Sequence, residues 1–149
     1  ERFISSAFII NDTHMMCRAG RIPKRIQVLC DALLLHPILV LKKSRMTVGS
    51  MEMGGFTHVA KRYVRKVLQD TRNIDRSILF ITYSGLDEKK LQYIQDLVRQ
   101  YCPFDRVYLQ KASSAIVSNC GPGSFGLLFL RKDEASDPIV WAPEQSGAV

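Results

Sequence analysis

Two spacings of apolar residues alternate along this chain, and that alternation narrows the available folds more than any other feature. Residues 77–82, SILFIT, form a nearly continuous apolar run of the kind found in a strand covered on both faces. The next segment carries Leu91, Ile94, Leu97, Val98 and Tyr101 at helical spacing, opened by Asp87 as a cap and closed by Pro103. The same alternation appears earlier. Residues 8–10 read as a short buried strand, and Asp12 offers its carboxylate to cap a brief helix ending at Ala19 and Gly20. Pro23 suits the first turn of another helix, in which Ile26, Leu29, Cys30, Leu33 and Leu34 share an apolar face that ends at His36 because Pro37 follows. Residues 38–41 and 45–53 read as strands joined at Lys43 and Ser44, with Met46, Val48 and Met51 as core fillers. After Gly54 and Gly55, Thr57 caps a helix that turns Val59, Tyr63, Val64, Val67 and Leu68 inward. Strands at 106–109 and 125–130 complete the pattern. Interleaved strands and helices predict an α/β, two-layer fold: a mixed β-sheet of about six strands with helices packed on it.

Length supports one such unit, since 149 residues suffice for a sizeable core and leave little room for a second domain. Residues 1–132 form the expected domain and residues 133–149, which lose periodicity and gain proline and acid, a C-terminal tail in which Trp141 is the one large aromatic. With 46% apolar and 23% charged residues, the composition excludes disordered and collagen-like classes. The longest apolar stretch, ALLLHPILVL, is broken by His36 and Pro37 and does not read as a membrane span. Twenty-one Lys and Arg against fourteen Asp and Glu give +7, which permits an anionic partner without identifying one. Cys17, Cys30, Cys102 and Cys120 show no zinc-ligand spacing and read as reduced thiols of a cytoplasmic protein. The opening at Glu1 rather than Met suggests a piece of a longer chain whose N-terminal domain is absent.

The motifs that carry chemistry exclude more than they assign. Residues 121–126, GPGSFG, match GxGxxG formally, but LLFLRK follows where a dinucleotide site needs a helix, so no nicotinamide or flavin cofactor is expected. The glycines instead license close approach of backbone to a strand or a ligand headgroup. His14, His36 and His58 fall on different elements, without HExxH spacing or a GxSxG elbow, so neither a catalytic residue nor a metal site is assigned. Ser113, Ser114, Ser118 and Asn119 form a polar cluster before the glycines, either a holder of an oxyanion or ordinary turn polarity. Lys61, Arg62, Arg65 and Lys66 stand on the outer face of one helix, either a docking face for an acidic partner or a solvated surface.

Three segments, FIINDTHMMCRAGRI, HPILVLKK and AIVSNCGPGSFGLLFL, occur in the order and at the spacing of motifs of the DegV family, and the chain resembles that family's C-terminal domain over about residues 8–130. The resemblance implies a bacterial lipid-binding domain, the second half of a protein whose apolar tunnel holds a long-chain fatty acid between two domains. It places the headgroup region at Asn119, Ser118, Arg21, Gly121 and Gly123, and the acyl-chain wall at Met15, Met16, Leu33, Leu34 and Ile116. The family has a His where this chain has Asn119, and Ala19 replaces the first glycine of the family's Gly-Gly-Arg. Asn donates and accepts hydrogen bonds but does not titrate near neutral pH. The resemblance further implies a carrier, not an enzyme, that presents its ligand to a kinase subunit, for which the helix face with Lys61, Arg62, Arg65 and Lys66 is a candidate docking surface. The alternative is a non-catalytic regulatory or interaction domain that uses its basic surface and senses a fatty acid or none.

Overall fold

The computed structural model describes residues 3–42 and 45–132. The strands are β1 (Phe3–Ile9), β2 (Leu35–Lys42), β3 (Arg45–Met53), β4 (Ile74–Ser84), β5 (Arg106–Lys111) and β6 (Ser124–Arg131). The helices are α1 (His14–Arg18), α2 (Lys24–Ala32), α3 (Phe56–Val67), α4 (Glu88–Tyr101) and α5 (Ser114–Cys120). All six strands form one mixed sheet in the order β3-β2-β1-β6-β4-β5. Only β4 and β5 run parallel, and α4 supplies the crossover that a parallel pair requires.

The alternation of side chains along a strand decides what each face of the sheet becomes. Ala7 and Ile9 of β1, Ile38 and Val40 of β2, Leu79 and Ile81 of β4, and Phe125, Leu127 and Phe129 of β6 all point to one face. There they meet Val59, Ala60, Tyr63, Val64 and Val67 of α3 and Ile94, Leu97 and Val98 of α4. The buried Tyr63 hydroxyl joins these layers: it donates to the Ala7 carbonyl at 2.6 Å and accepts from the Leu127 N–H at 3.1 Å. On the other face, Phe8 and Leu39 pack with Met16 of α1 and Cys120 of α5 in a smaller cluster.

Several sequence expectations need correction. β1 starts at Phe3 and β4 at Ile74, each earlier than the apolar run alone indicates, because antiparallel pairing with β6 continues through Phe3↔Arg131 and Ile74↔Arg131. The face of β4 carrying Ile78 and Phe80 is open, so SILFIT is covered on one side and not on both. The helix before Pro37 stops at Ala32: Leu34 takes φ +51° and reverses the chain, so His36 and Pro37 lie within β2. Cys30 of α2 is buried, but Leu29, Leu33 and Leu34 stay half-exposed, and the buried polar residue is Gln27. Val48 and Met51 are likewise exposed, not core, and the Met46 side chain lies outside those described. Gly55 precedes α3 and Thr57 lies inside it, so Thr57 is not the cap. Asp87 does cap α4, accepting from the Lys90 N–H at 2.8 Å. The Lys43 and Ser44 connection, the tail and Trp141 lie outside the described residues.

Candidate functional site

On the face opposite α3 and α4, the sheet is only partly covered, and a groove of about 760 Å³ opens there. Its floor is the second alternation of β1 and β6: Ser6, Phe8 and Leu128, with Leu39 beside them. Phe8 can lie flat because its cross-strand partner is Gly126, where a Cβ would collide with the Phe8 ring and stand 2.5 Å from the Ala7 carbonyl oxygen. Met16 of α1 and Ile116 and Cys120 of α5 form the inner wall. Thr47 and Val48 of β3 form the opposite rim.

One end of this apolar trough is polar. Arg21, just after α1, donates from Nε to the Asn119 Oδ1 at 3.3 Å. Asn119 donates from Nδ2 to the Ala115 carbonyl at 2.8 Å, which fixes its amide so that the oxygen faces Arg21. Both residues line the groove. The cation is therefore oriented by a neutral amide, and among the described residues no carboxylate forms an ion pair with it. α5 presents Asn119 here because Ser113 starts the helix, its hydroxyl accepting from the Ile116 N–H at 3.4 Å. Burial pushes the Cys120 thiol up to about 11, so the wall below the amide is uncharged at neutral pH.

The remaining sequence candidates fall elsewhere. Ser118 donates to the Ala115 carbonyl at 2.9 Å and does not line the groove. Gly121 (φ +71°) ends α5, and a Cβ there would meet the Met15 side chain at 2.9 Å, so Met15 is used in seating α1 against α5. Gly123 (φ +82°) packs on the Asn11 side chain and donates its N–H to the Ser84 carbonyl at 2.6 Å. Leu33 and Leu34, 49% and 58% exposed, stand at the end of α2 outside the groove. Sequence reading missed α5 as a helix, and with it Cys120. It also missed Phe8, Leu39 and Leu128, whose signal was period-two alternation with the core residues Ala7 and Ile9 of β1, Ile38 and Val40 of β2, and Leu127 and Phe129 of β6. His14 pairs with Asp12 at 2.9 Å, while His36 lies between the Ile10 and Gly54 carbonyls and His58 stands beside Gly54. Among the described residues no three His, Cys, Asp or Glu stand together as metal ligands, and all four cysteines are free. No helix among them is long and apolar enough to cross a membrane.

Lys61, Arg62 and Arg65 are exposed on the outer side of α3 and Lys66 partly so. Glu52 of β3 reaches Arg62 at 3.5 Å and Lys66 at 3.9 Å. Because α3 covers the first face of the sheet, these cations and the groove lie on opposite sides of the molecule.

A family model described as an uncharacterised protein of the DegV family matches residues 2–132. The chain belongs to the DegV family. Its fold recurs in a DegV family protein from Eubacterium eligens loaded with heptadecanoic acid, at 17% identity and TM-score 0.66, over 85% of this chain and 45% of that one. The Streptococcus pneumoniae fatty acid kinase (Fak) B3 protein, loaded with linoleic acid, matches at 10% identity and TM-score 0.66, over 85% and 44% of the two chains. A fatty-acid-binding DegV family protein from Thermus thermophilus matches at 24% identity and TM-score 0.60, over 86% and 45%. This DegV chain spans about half the length of these solved structures. No curated protein sequence matches it.

Proposed function

We propose that this chain supplies one wall of a binding site for a long-chain fatty acid, the other wall belonging to a second domain of a longer protein. The observation that carries the reading is the groove itself: an apolar trough over Phe8, Leu39 and Leu128 with the Arg21 guanidinium at one end. A fatty acid has that division, an acyl chain whose burial contributes about 0.8 kcal/mol per methylene and a carboxylate that favours a guanidinium. Arg21 takes the carboxylate, Asn119 positions Arg21, and Met16 and Ile116 contact the chain. Ser118, Gly121 and Gly123 serve this region by shaping α5 and its exit. The protein is a carrier and not an enzyme, acts in the cytoplasm, and presents its ligand to a kinase subunit docked on Lys61, Arg62, Arg65 and Lys66. The relatives' loading with heptadecanoic and linoleic acids, and the kinase in one relative's name, support this assignment.

Denaturing extraction of the purified chain, alone and joined to the sequence adjoining it in its gene, followed by mass spectrometry, is expected to release a long-chain fatty acid. Repeatedly empty protein of both kinds would overturn the proposal. A second reading, an interaction domain acting through its basic surface, is favoured by the separation of the α3 cations from the groove. It predicts binding to an acidic protein or nucleic acid that weakens steeply with salt, with or without fatty acid present.

A further inference from the structure

The floor of the groove carries a hydroxyl that neither the fold nor a carboxylate at Arg21 uses. Ser6 lies on β1 two residues before Phe8, so alternation along the strand turns both side chains to the groove face. Its cross-strand partner is Leu128, also part of the floor. Ser6 is only 9% exposed, yet its hydroxyl makes no hydrogen bond among the described residues. The hydroxyl is not sealed off either: what opening it keeps is onto the groove that Ser6 lines. Around it the floor and inner wall are Phe8, Met16, Leu39, Ile116, Cys120 and Leu128, of which only the uncharged Cys120 thiol is a donor, and a weak one. Thr47, on the opposite rim, also bears a hydroxyl, but it is exposed, so solvent satisfies it and it makes no demand on a ligand.

Ser6 does make such a demand. A plain acyl chain laid along the floor covers Ser6 with methylenes, and a hydroxyl buried without a partner weakens the complex that buries it. An acyl chain with a hydroxyl of its own level with Ser6 removes that penalty, because each hydroxyl both donates and accepts. Binding sites of this kind discriminate sharply: a buried polar group that pairs with a ligand hydroxyl rejects the analogue lacking it far more strongly than an apolar wall rejects a change in chain length. We infer, resting on the fatty-acid reading of the groove, that its ligand is a hydroxylated long-chain fatty acid and that Ser6 is the specificity-determining residue that pairs with the hydroxyl on the acyl chain.

The test is calorimetric titration of the chain, joined to the sequence adjoining it in its gene, with stearic acid and with monohydroxylated stearic acids that differ only in the position of the hydroxyl. One position is expected to bind about tenfold more tightly than stearic acid, with affinity falling for hydroxyls on either side of it. In Ser6→Ala the preference is expected to invert: stearic acid binds more tightly than to the unaltered protein, and the favoured hydroxy acid more weakly. Circular dichroism verifies that the variant is folded. Stearic acid bound with no hydroxy acid preferred, or a preference that survives Ser6→Ala, overturns the inference and leaves the fatty-acid reading standing. Equal weakening of every acid in Ser6→Ala places Ser6 at the carboxylate and overturns it too. Folded protein that binds none of these acids overturns both.

Discussion

Gly126→Ala tests the joint between sheet and groove with the smallest available change. In a strand, replacing glycine by alanine ordinarily favours the folded state by about 0.5–1 kcal/mol through chain entropy. Here the added methyl meets the Phe8 ring on one side and the Ala7 carbonyl oxygen, at 2.5 Å, on the other. Ordinary contact begins near 3.4 Å, so the neighbours must retreat by almost 1 Å. The ring can swing only into the groove, and the carbonyl can move only by loosening the Phe8↔Gly126 ladder and the Tyr63 hydrogen bond. Overpacking of this kind costs about 3 kcal/mol, the upper part of its usual range, because one of the two obstacles is backbone. The net loss is about 2 kcal/mol, a fall in melting temperature of about 6–8 °C for a domain of this size. Urea unfolding followed by circular dichroism measures it, with Gly55→Ala as the control, since a Cβ at Gly55 meets nothing within 4 Å. If Gly126→Ala matched or exceeded the unaltered chain in stability, the packing that forms the groove floor would be wrong.

The other predictions concern single groups. Arg21→Met should weaken linoleic acid binding by the site about ten- to a hundredfold, as loss of a charge-assisted hydrogen bond implies, while a methyl ester of the same acid, lacking the charge, should bind both forms alike; equal losses for acid and ester would remove Arg21 from the headgroup. Tyr63→Phe should cost about 2–3 kcal/mol in urea unfolding, since it strands a buried carbonyl and N–H on neighbouring strands, and an unchanged midpoint would mean that Ala7 and Leu127 pair without it. Cys120 holds its proton more tightly when folded, about 11 against 9.0, so stability should be level below pH 9 and fall by roughly 2–3 kcal/mol between pH 9 and 11; Cys120→Ala should flatten that slope. Asp87→Ala should cost about 1 kcal/mol through loss of the α4 cap, read from the same denaturation curve.

The elements most legible in the sequence were those whose apolar period coincides with a complete burial pattern. α3 and α4 bury one stripe each against the sheet, so Val59, Tyr63, Val64, Leu91, Ile94 and Val98 announced themselves. α2 did not follow its period, because Leu29, Leu33 and Leu34 have no neighbour among the described residues to cover them. An apolar stripe states that something should cover it without naming what. α5 was hidden by its composition: Ser113, Ser118 and Asn119 are common in turns, and only tertiary contacts of Ile116 and Cys120 with Phe8 and Leu39 tip the segment into a helix. Of the candidate site, Met16 of α1 and Arg21 just after it meet Ile116 and Asn119 of α5, far away in sequence, on one groove. The floor beneath them was less visible, because on β1 the residues that line it alternate with the core residues Ala7 and Ile9.

The Tyr63 hydroxyl has a mechanical meaning beyond its contribution to stability. Ala7, whose carbonyl it holds, is bonded to Phe8, the floor of the groove, while Tyr63 stands within two residues of the exposed cations Arg62 and Arg65 on the same helix. A ligand that presses on the Phe8 ring loads β1, which this strut ties to α3. The occupied and empty grooves would then hold α3 at different tensions, so a partner gripping the outer helix could sense the cargo without touching it.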